Sequence, residues 1–196
     1  MFGHKHEKKR MIALDAELDG MRPSRIIQLS YLIIDGRRIR GKNFYFSVDA
    51  INRHARKVHG LGVGQLRRLS GGDLFAHHAD EIYRDFEKCG MVIGHDVAGD
   101  MRYLRDEFAR IGVKFPDIPR FCTLQHYTKE ANIPLKQNPS KLKPPRLEEL
   151  MKHFGITPEL VTRKCRKWFG GGDHYHDARF DAAAAYLCMV VGEEMG

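Results

Sequence analysis

Long apolar runs and closely paired cysteines are both missing from this sequence. No apolar run approaches the roughly 18–20 residues that a membrane-spanning helix needs, so no membrane association is expected. The four cysteines include no C-x-x-C pair, which argues against a zinc knuckle or a thioredoxin-type redox site. The first ten residues are polar and basic, which argues against a secretory signal peptide. We therefore expect a cytoplasmic protein in which residues 1–10 form a flexible basic tail.

The composition is typical of one folded domain. The chain has 196 residues, of which 42% are apolar and 30% charged, and these values favour a single domain over residues 1–196. Lys and Arg outnumber Asp and Glu by 33 to 25, which gives a formal net charge of +8. A basic surplus of this size favours polyanionic partners, above all nucleic acid, although many basic proteins bind none.

The periodicity of the apolar residues changes along the chain. Three segments rich in β-branched and aromatic residues come first and predict an antiparallel meander, at residues 11–16, 25–34 and 43–48. Helical and strand patterns then alternate, with helices predicted at 74–88, 98–111, 146–154 and 177–191 and strands at 91–94 and 121–124. This order predicts an α/β domain with a mixed sheet. The proline-rich, basic stretch over residues 134–146 is expected to be an exposed loop, and a role in contacting substrate stays open.

Two acids end the first predicted strand. Asp15 and Glu17 are two residues apart, so both side chains point to the same face of the strand. Adjacent carboxylates repel each other and are costly to bury unless a divalent cation lies between them. The pair is therefore either part of a cation site or two solvated acids at a strand end.

A third acid follows the strand predicted at residues 91–94. Asp100 comes at the start of the next helix, outside the carboxyl end of that strand, where α/β sheets bind ligands. Asp96 lies four residues earlier and is the alternative. Its expected role is to cap the helix, and whether it also assists Asp100 stays open.

His176 and Asp181 form the third cluster. Asp181 lies in the last predicted helix, and His176 precedes that helix in a segment that follows three consecutive glycines, which allow a mobile loop. An alternative is that Asp173, His174, His176 and Asp177 bind a metal by themselves. No second set of His or Cys is spaced to complete a zinc site there.

The order of these clusters resembles the DEDDh family of 3′–5′ exonucleases, which includes proofreading subunits of replicative DNA polymerases, ribonuclease T and oligoribonuclease. The resemblance covers about residues 11–190. It is carried by Leu14-Asp15-Ala16-Glu17-Leu18-Asp19-Gly20, Arg25-Ile26-Ile27-Gln28-Leu29-Ser30, Val58-His59-Gly60-Leu61, Gly94-His95-Asp96-Val97-Ala98-Gly99-Asp100 and His176-Asp177-Ala178-Arg179-Phe180-Asp181-Ala182. The sequence departs from the family in having Asp96 for the usual Asn, Gly99 for the usual Phe, Cys122 for a frequent Asp and Leu18-Asp19 for the common Thr-Thr.

The resemblance implies a fold and a chemistry. The implied fold is ribonuclease H-like, a mixed five-stranded sheet with three antiparallel strands followed by two parallel ones, flanked by helices. The implied reaction is two-metal hydrolysis of phosphodiester bonds from the 3′ end of single-stranded DNA or RNA, releasing nucleoside 5′-monophosphates. The implied site has His176 as general base and two Mg²⁺ or Mn²⁺ ions held by Asp15, Glu17, Asp100 and Asp181.

The resemblance also implies contacts to the terminal nucleotide from Leu18, Met21 and His59, although core packing explains Leu18 equally well. Two alternatives to a free-standing exonuclease remain. One is a catalytically inactive nucleic-acid-binding module of the same fold, and the other is a proofreading subunit that acts in trans for a DNA polymerase. The preference among DNA, RNA and short oligonucleotides, association with a polymerase and the formation of a homodimer are left open.

Overall fold

A five-stranded mixed sheet forms the centre of the protein. The structure is a computed structural model that describes residues 10–195, so the basic tail expected over residues 1–10 lies outside the described residues except for Arg10. The strands are β1 (Met11–Leu18), β2 (Ile26–Asp35), β3 (Arg38–Tyr45), β4 (Met91–Gly94) and β5 (Arg120–Cys122), in the spatial order β3-β2-β1-β4-β5. The first three strands pair antiparallel, whereas β1 with β4 and β4 with β5 pair parallel. The predicted fold class is confirmed.

Helices cover both faces of the sheet. They are α1 (Arg53–His59), α2 (Val63–Ser70), α3 (Phe75–Phe86), α4 (Val97–Arg110), α5 (Thr123–His126), α6 (Thr128–Ala131), α7 (Leu147–His153), α8 (Pro158–Phe169) and α9 (Ala178–Met195). Helices α3 and α4 pack on one face around Ile12 and Leu14, and helices α7, α8 and α9 pack on the other around Ala13 and Leu32. Nine of the ten residues of β2 are buried, as expected for a strand covered on both faces. Within residues 10–195, no helix combines the length and apolar character needed to cross a membrane.

The sequence prediction lacks one hairpin and five helices, namely α1, α2, α5, α6 and α8. Helix α8 was not predicted because its buried positions, Val161 and Cys165, are few among basic residues, although Thr157 and Pro158 form an ordinary helix start. Helices α1 and α2 are also short and rich in polar residues. The stretch over residues 134–146 is mostly exposed as expected, but it is not a loop throughout, because β6 (Pro134–Leu135) and β7 (Asn138–Leu142) pair there as an antiparallel hairpin.

Helix α8 packs directly against the edge strand β3 at Gly41. A β-carbon at Gly41 would lie 2.6 Å from the carbonyl oxygen of Trp168 and closer still to the ring of Phe169. Gly41→Ala is therefore expected to lower the free energy of unfolding by about 1–3 kcal/mol, because the backbone of α8 must move. The matched change Gly64→Ala lies in α2, where the nearest atom would be 3.9 Å away, and it should cause no loss. Urea unfolding measures both, and equal midpoints would contradict the prediction.

Candidate active site

The four predicted acids converge at the carboxyl ends of the neighbouring strands β1 and β4. Asp15 and Glu17 lie on β1, while Asp100 and Asp181 lie in the first turns of α4 and α9. Because β1 and β4 are parallel neighbours, the helix that follows β4 begins beside the carboxyl end of β1. The acids are close enough to affect one another, since burial and then the charges of Asp100, Asp181 and Glu17 raise the pKa of Asp15 well above its ordinary value.

Each of the other three carboxyls is perturbed in the same direction. Burial, reinforced by the charges of Asp181 and Asp177, raises the pKa of Glu17 to about 8. Burial raises the pKa of Asp181 to about 7, against the lowering effect of the backbone N–H of His176. Burial, together with the charges of nearby acids, also raises the pKa of Asp100. Four buried carboxyls with raised pKa values either keep their protons or bind a cation.

His176 lies directly beside this group. It is exposed, it has a left-handed backbone with φ of 62°, and its backbone N–H donates to Asp181 Oδ2 at 3.0 Å. Ligand atoms of Glu17, His176 and Asp181 all lie within 4.8 Å of one another. The other carboxylate oxygen of Asp181, Oδ1, is buried and has no hydrogen-bond partner among residues 10–195.

These observations fit a divalent cation. Carboxylate oxygens are the ligands that Mg²⁺ and Mn²⁺ prefer. A buried carboxylate oxygen without a donor is costly, and a cation would satisfy it. The same cation would offset the burial and the charge repulsion that raise the pKa values of these acids. The carboxylate ligands therefore suit the Mg²⁺ or Mn²⁺ that the sequence resemblance implies.

A buried polar network holds the segment that carries His176. Gln28, which lies opposite Glu17 on β2, donates to Asp177 Oδ1 at 3.1 Å and accepts from the backbone N–H of Ala178 at 3.4 Å. The guanidinium of Arg179 donates to both carboxylate oxygens of Asp177. Burial acts to raise the pKa of Asp177, but the hydrogen bonds and charge of Arg179 outweigh it and the pKa is lowered. Asp177 is thus anionic and fixes the start of α9 to the sheet.

This network excludes one of the metal sites considered from the sequence. Asp177 is paired with Arg179, and Asp173 and His174 lie on an exposed segment. In the part of the chain that the structure describes, the grouping suited to a metal joins His176 to Glu17 and Asp181. Residues 173–177 do not form a metal site by themselves. Sequence reasoning missed the role of Gln28, because its bond to Asp177 joins positions 149 residues apart, and it also missed the local pair of Arg179 with Asp177.

The predicted capping role of Asp96 was wrong in one respect. Asp96 does occupy the N-cap position of α4, but its φ is 70° and its side chain makes no capping hydrogen bond. Its exposed carboxylate instead adds to the charges that raise the pKa of Asp100. A β-carbon at Gly99 would lie 3.4 Å from Asp96 Oδ2, so the small residue leaves room for this acid.

Two cavities meet at His176. One, of about 660 Å³, is lined by Asp15, Asp181 and His176 and by residues 144–148. The second, of about 390 Å³, is lined by His176, Gln28 and His59 among others. An extended molecule could therefore occupy both cavities with its centre beside the acids.

The predicted nucleotide contacts lie in different surroundings. Met21 is 41% exposed, whereas Leu18 is partly buried against the core, which agrees with a packing role. His59 is buried, and its Nδ1 accepts from the backbone N–H of Leu61 at 3.0 Å. Its Nε2 has no partner among residues 10–195. Burial lowers the pKa of His59, which favours the neutral imidazole with its proton on the unpartnered nitrogen.

Comparison with known proteins gives both sequence and fold relatives. No protein-family model matches the sequence. DNA polymerase III subunit epsilon of Buchnera aphidicola subsp. Schizaphis graminum (strain Sg) is 28% identical over 142 residues, which are 66% of this chain and 59% of that protein. Escherichia coli exonuclease I in complex with a 5cy-dT13 oligonucleotide matches 95% of this chain and 40% of its own, at 19% identity and a TM-score of 0.71. Exonuclease I in its apo form matches the same share of this chain at 18% identity and a TM-score of 0.72.

The resemblance to the DEDDh exonuclease family is confirmed. The structural likeness establishes the shared fold, and the sequence match adds the polymerase subunit as a relative. The chain spans about three fifths of the length of that curated relative and about two fifths of the exonuclease I chains.

One departure from the DEDDh pattern now has a structural explanation. Asp19, which stands where Thr is common, is buried, and its Oδ1 accepts from Met21 N, Ser24 Oγ and Arg25 N at 2.9–3.0 Å. These bonds fix the turn between β1 and β2. The carboxylate of Asp19 therefore stabilises the turn and is not a fifth acid of the cluster formed by Asp15, Glu17, Asp100 and Asp181.

Proposed function

We propose that this protein is a metal-dependent 3′–5′ exonuclease that releases nucleoside 5′-monophosphates from single-stranded DNA or RNA. The observation that carries the proposal is the convergence of Asp15, Glu17, Asp100 and Asp181 beside His176. Four carboxyls with raised pKa values would be a costly arrangement without a cation. The formal net charge of the whole chain is +8 even with these four acids included, and such a basic surplus suits an anionic substrate.

The relatives support the same substrate class. The curated relative is a DNA polymerase subunit, and exonuclease I is described in complex with dT13 and dA16 oligonucleotides and in a zinc-bound complex with single-stranded DNA. Because this chain covers only part of each relative, their activities serve here as support for the proposal.

Metal binding is assigned to the four acids. Asp15, Glu17 and Asp181 would hold one Mg²⁺ or Mn²⁺ ion, and Asp15 and Asp100 would hold a second. When bound, such ions make a water molecule more acidic and stabilise negative charge on the departing oxygen.

His176 would act as the general base. Its backbone is tied to Asp181 while its imidazole is exposed, so a ring nitrogen can take the proton of the attacking water. The water oxygen then forms a bond to phosphorus, the bond from phosphorus to the 3′ oxygen of the preceding nucleotide breaks, and that oxygen takes a proton from solvent. The network of Gln28, Asp177 and Arg179 positions the segment that carries His176. His59 and Met21 would contact the terminal nucleotide.

A strand labelled at one end tests the polarity and the metal requirement. With Mg²⁺ or Mn²⁺, a 3′-labelled single strand should release labelled mononucleotide in the first turnovers, whereas a 5′-labelled strand should shorten by one nucleotide at a time. Excess chelator should stop both reactions. The proposal fails if neither DNA nor RNA strands are shortened with either metal.

A second candidate is a proofreading subunit that acts in trans for a DNA polymerase, and it is favoured by the sequence match to a polymerase subunit. Its distinguishing result is co-purification with a polymerase, whereas a monomer or homodimer on sizing argues against it. A catalytically inactive binding module is the third candidate, motivated by the departures at Asp96 and Gly99. It would bind single strands in a salt-dependent manner without cleaving them, and Asp15→Ala would not change that binding.

A further inference from the structure

The segment between α6 and α7 contains basic residues and no acidic ones. Residues 131–147 contain no Asp or Glu and four cations, namely Lys136, Lys141, Lys143 and Arg146. Most of these residues lie in the hairpin of β6 and β7 and in the leg that returns from it to α7. We refer to residues 134–146 as the basic hairpin.

The return leg of the basic hairpin is one wall of the larger cavity. Pro144, Pro145 and Arg146 line this cavity of about 660 Å³ together with Asp15 and Asp181. The hairpin strands pair only with each other in the described part of the chain, and most of their residues are exposed. The return leg of the basic hairpin therefore borders the candidate active site, and the hairpin strands extend from this leg.

His95 fixes this wall in place. His95 follows β4, and its Nε2 donates to the carbonyl oxygen of Pro145 at 3.1 Å while its Nδ1 accepts from the Thr123 hydroxyl at 2.9 Å. Burial lowers the pKa of His95, which favours the neutral imidazole with its proton on Nε2. On the α7 side, Glu149 accepts from the backbone N–H of Arg146 at 2.8 Å and also pairs with Lys143. A two-stranded hairpin is marginal by itself, so these bonds hold its base.

Two cations on the hairpin itself remain free. Lys136 and Lys141 are exposed and have no acidic group within 4.0 Å among residues 10–195. Asp15 and Asp181, which line the larger cavity, repel phosphates, so a strand that reaches the site needs cations beside it. Lys136 and Lys141 could contact phosphates of such a strand without disturbing any internal ion pair.

We propose that the basic hairpin binds the phosphates of the single strand upstream of the scissile bond, so that strands of several nucleotides are preferred over dinucleotides. The terminal nucleotide then occupies the cavity lined by His59, and the rest of the strand leaves through the larger cavity past Pro145. This inference rests on the proposed function and adds the length class of its substrate.

The test compares one substrate that lacks an upstream strand with one that has it. The p-nitrophenyl ester of thymidine 5′-phosphate reports on the chemistry alone, and a single strand of about ten nucleotides adds the upstream phosphates. For the variant Lys136→Gln/Lys141→Gln, the ratio of kcat/KM on the long strand to kcat/KM on the ester should fall by about fivefold to tenfold, through KM. The plot of log kcat/KM against log salt should become shallower by about 1.4 because two phosphate contacts are lost.

The control removes the same charge at the far end of the sheet. Arg37 and Arg38 are exposed at the turn between β2 and β3, which lies beside Met11 rather than beside Asp15. Arg37→Gln/Arg38→Gln should leave the ratio and the salt dependence at their original values.

The outcomes separate this inference from the proposed function. Hydrolysis of the ester with equal kcat/KM on dinucleotides and on longer strands overturns the hairpin proposal and leaves the exonuclease standing. An equal fall in the ratio for both double variants also overturns it, because the effect would then be one of net charge. If the unaltered protein hydrolyses neither substrate, both proposals fail.

Discussion

Asp15→Asn is expected to abolish nuclease activity and to stabilise the metal-free protein. The amide is a poor ligand for a cation, so kcat/KM on a single strand should fall by at least about 10³-fold, the scale seen when an electrostatic group is removed from an active site. Asp15 is also buried beside other acids that raise its pKa, so its ionised form destabilises the metal-free protein. Its neutralisation should therefore raise Tm in chelator, by about 2–4 °C for each kcal/mol of relief in a chain of this size.

Opposite changes in activity and stability distinguish a functional acid from a structural one. The matched control is Asp117→Asn, since the side chain of Asp117 is 93% exposed and its pair with Arg105 is a surface ion pair of small energy. This control should change neither rate nor Tm appreciably. A fall in Tm for Asp15→Asn in chelator would contradict the assignment, because it would mean that the carboxylate stabilises the fold without a metal.

The metal-free protein is expected to lose stability as pH rises from about 6.5 to 8. Glu17 has its pKa raised from 4.5 to about 8, and Asp181 from 3.8 to about 7. In this window the folded chain holds protons that the unfolded chain has lost, so the free energy of unfolding falls with increasing pH. Below about pH 6.5 the lowered pKa values of His59 and His95 act in the opposite direction, which makes the upper window the informative one.

Thermal unfolding with and without Mn²⁺ measures this effect. In chelator, Tm should decrease across the window, and the variant Glu17→Gln should flatten the decrease because its side chain carries no titrating proton. Added Mn²⁺ should raise Tm more at pH 8 than at pH 6.5, since the acids are then free to bind it. The same pH dependence in the unaltered protein and in Glu17→Gln would refute the link to this carboxyl.

The strands that carry the site could be predicted because their apolar runs are unambiguous. Strands β1, β2 and β4 lie within two residues of their predicted bounds. Strand β3 covers Arg38–Tyr45 and begins several residues before its predicted start. The prediction missed this start because an edge strand with one partner tolerates polar residues such as Arg40 and Lys42. Its position is set by its register with β2, which is a tertiary property.

The acids and His176 could be named from the sequence, but their supports could not. Asp15 and Glu17 are marked by strand periodicity, and Asp100 and Asp181 by the family motifs. The bond from Gln28 to Asp177 joins residues 149 positions apart, and the bond from His95 to Pro145 joins residues 50 apart. A single sequence contains no local signal for such pairs, since each residue type also occurs as an ordinary solvated side chain.

Helix α9 has a consequence for how the protein is made. It provides Asp181 and packs against β1, β2, β4, α7 and α8, and every other described element precedes it in the chain. During synthesis, the face of the sheet that α9 shares with α7 and α8 is thus only partly covered until α9 leaves the ribosome, and the cluster lacks its fourth carboxylate for the same period. Under the proposed function, a nascent chain therefore lacks the complete set of metal-binding acids until α9 has folded.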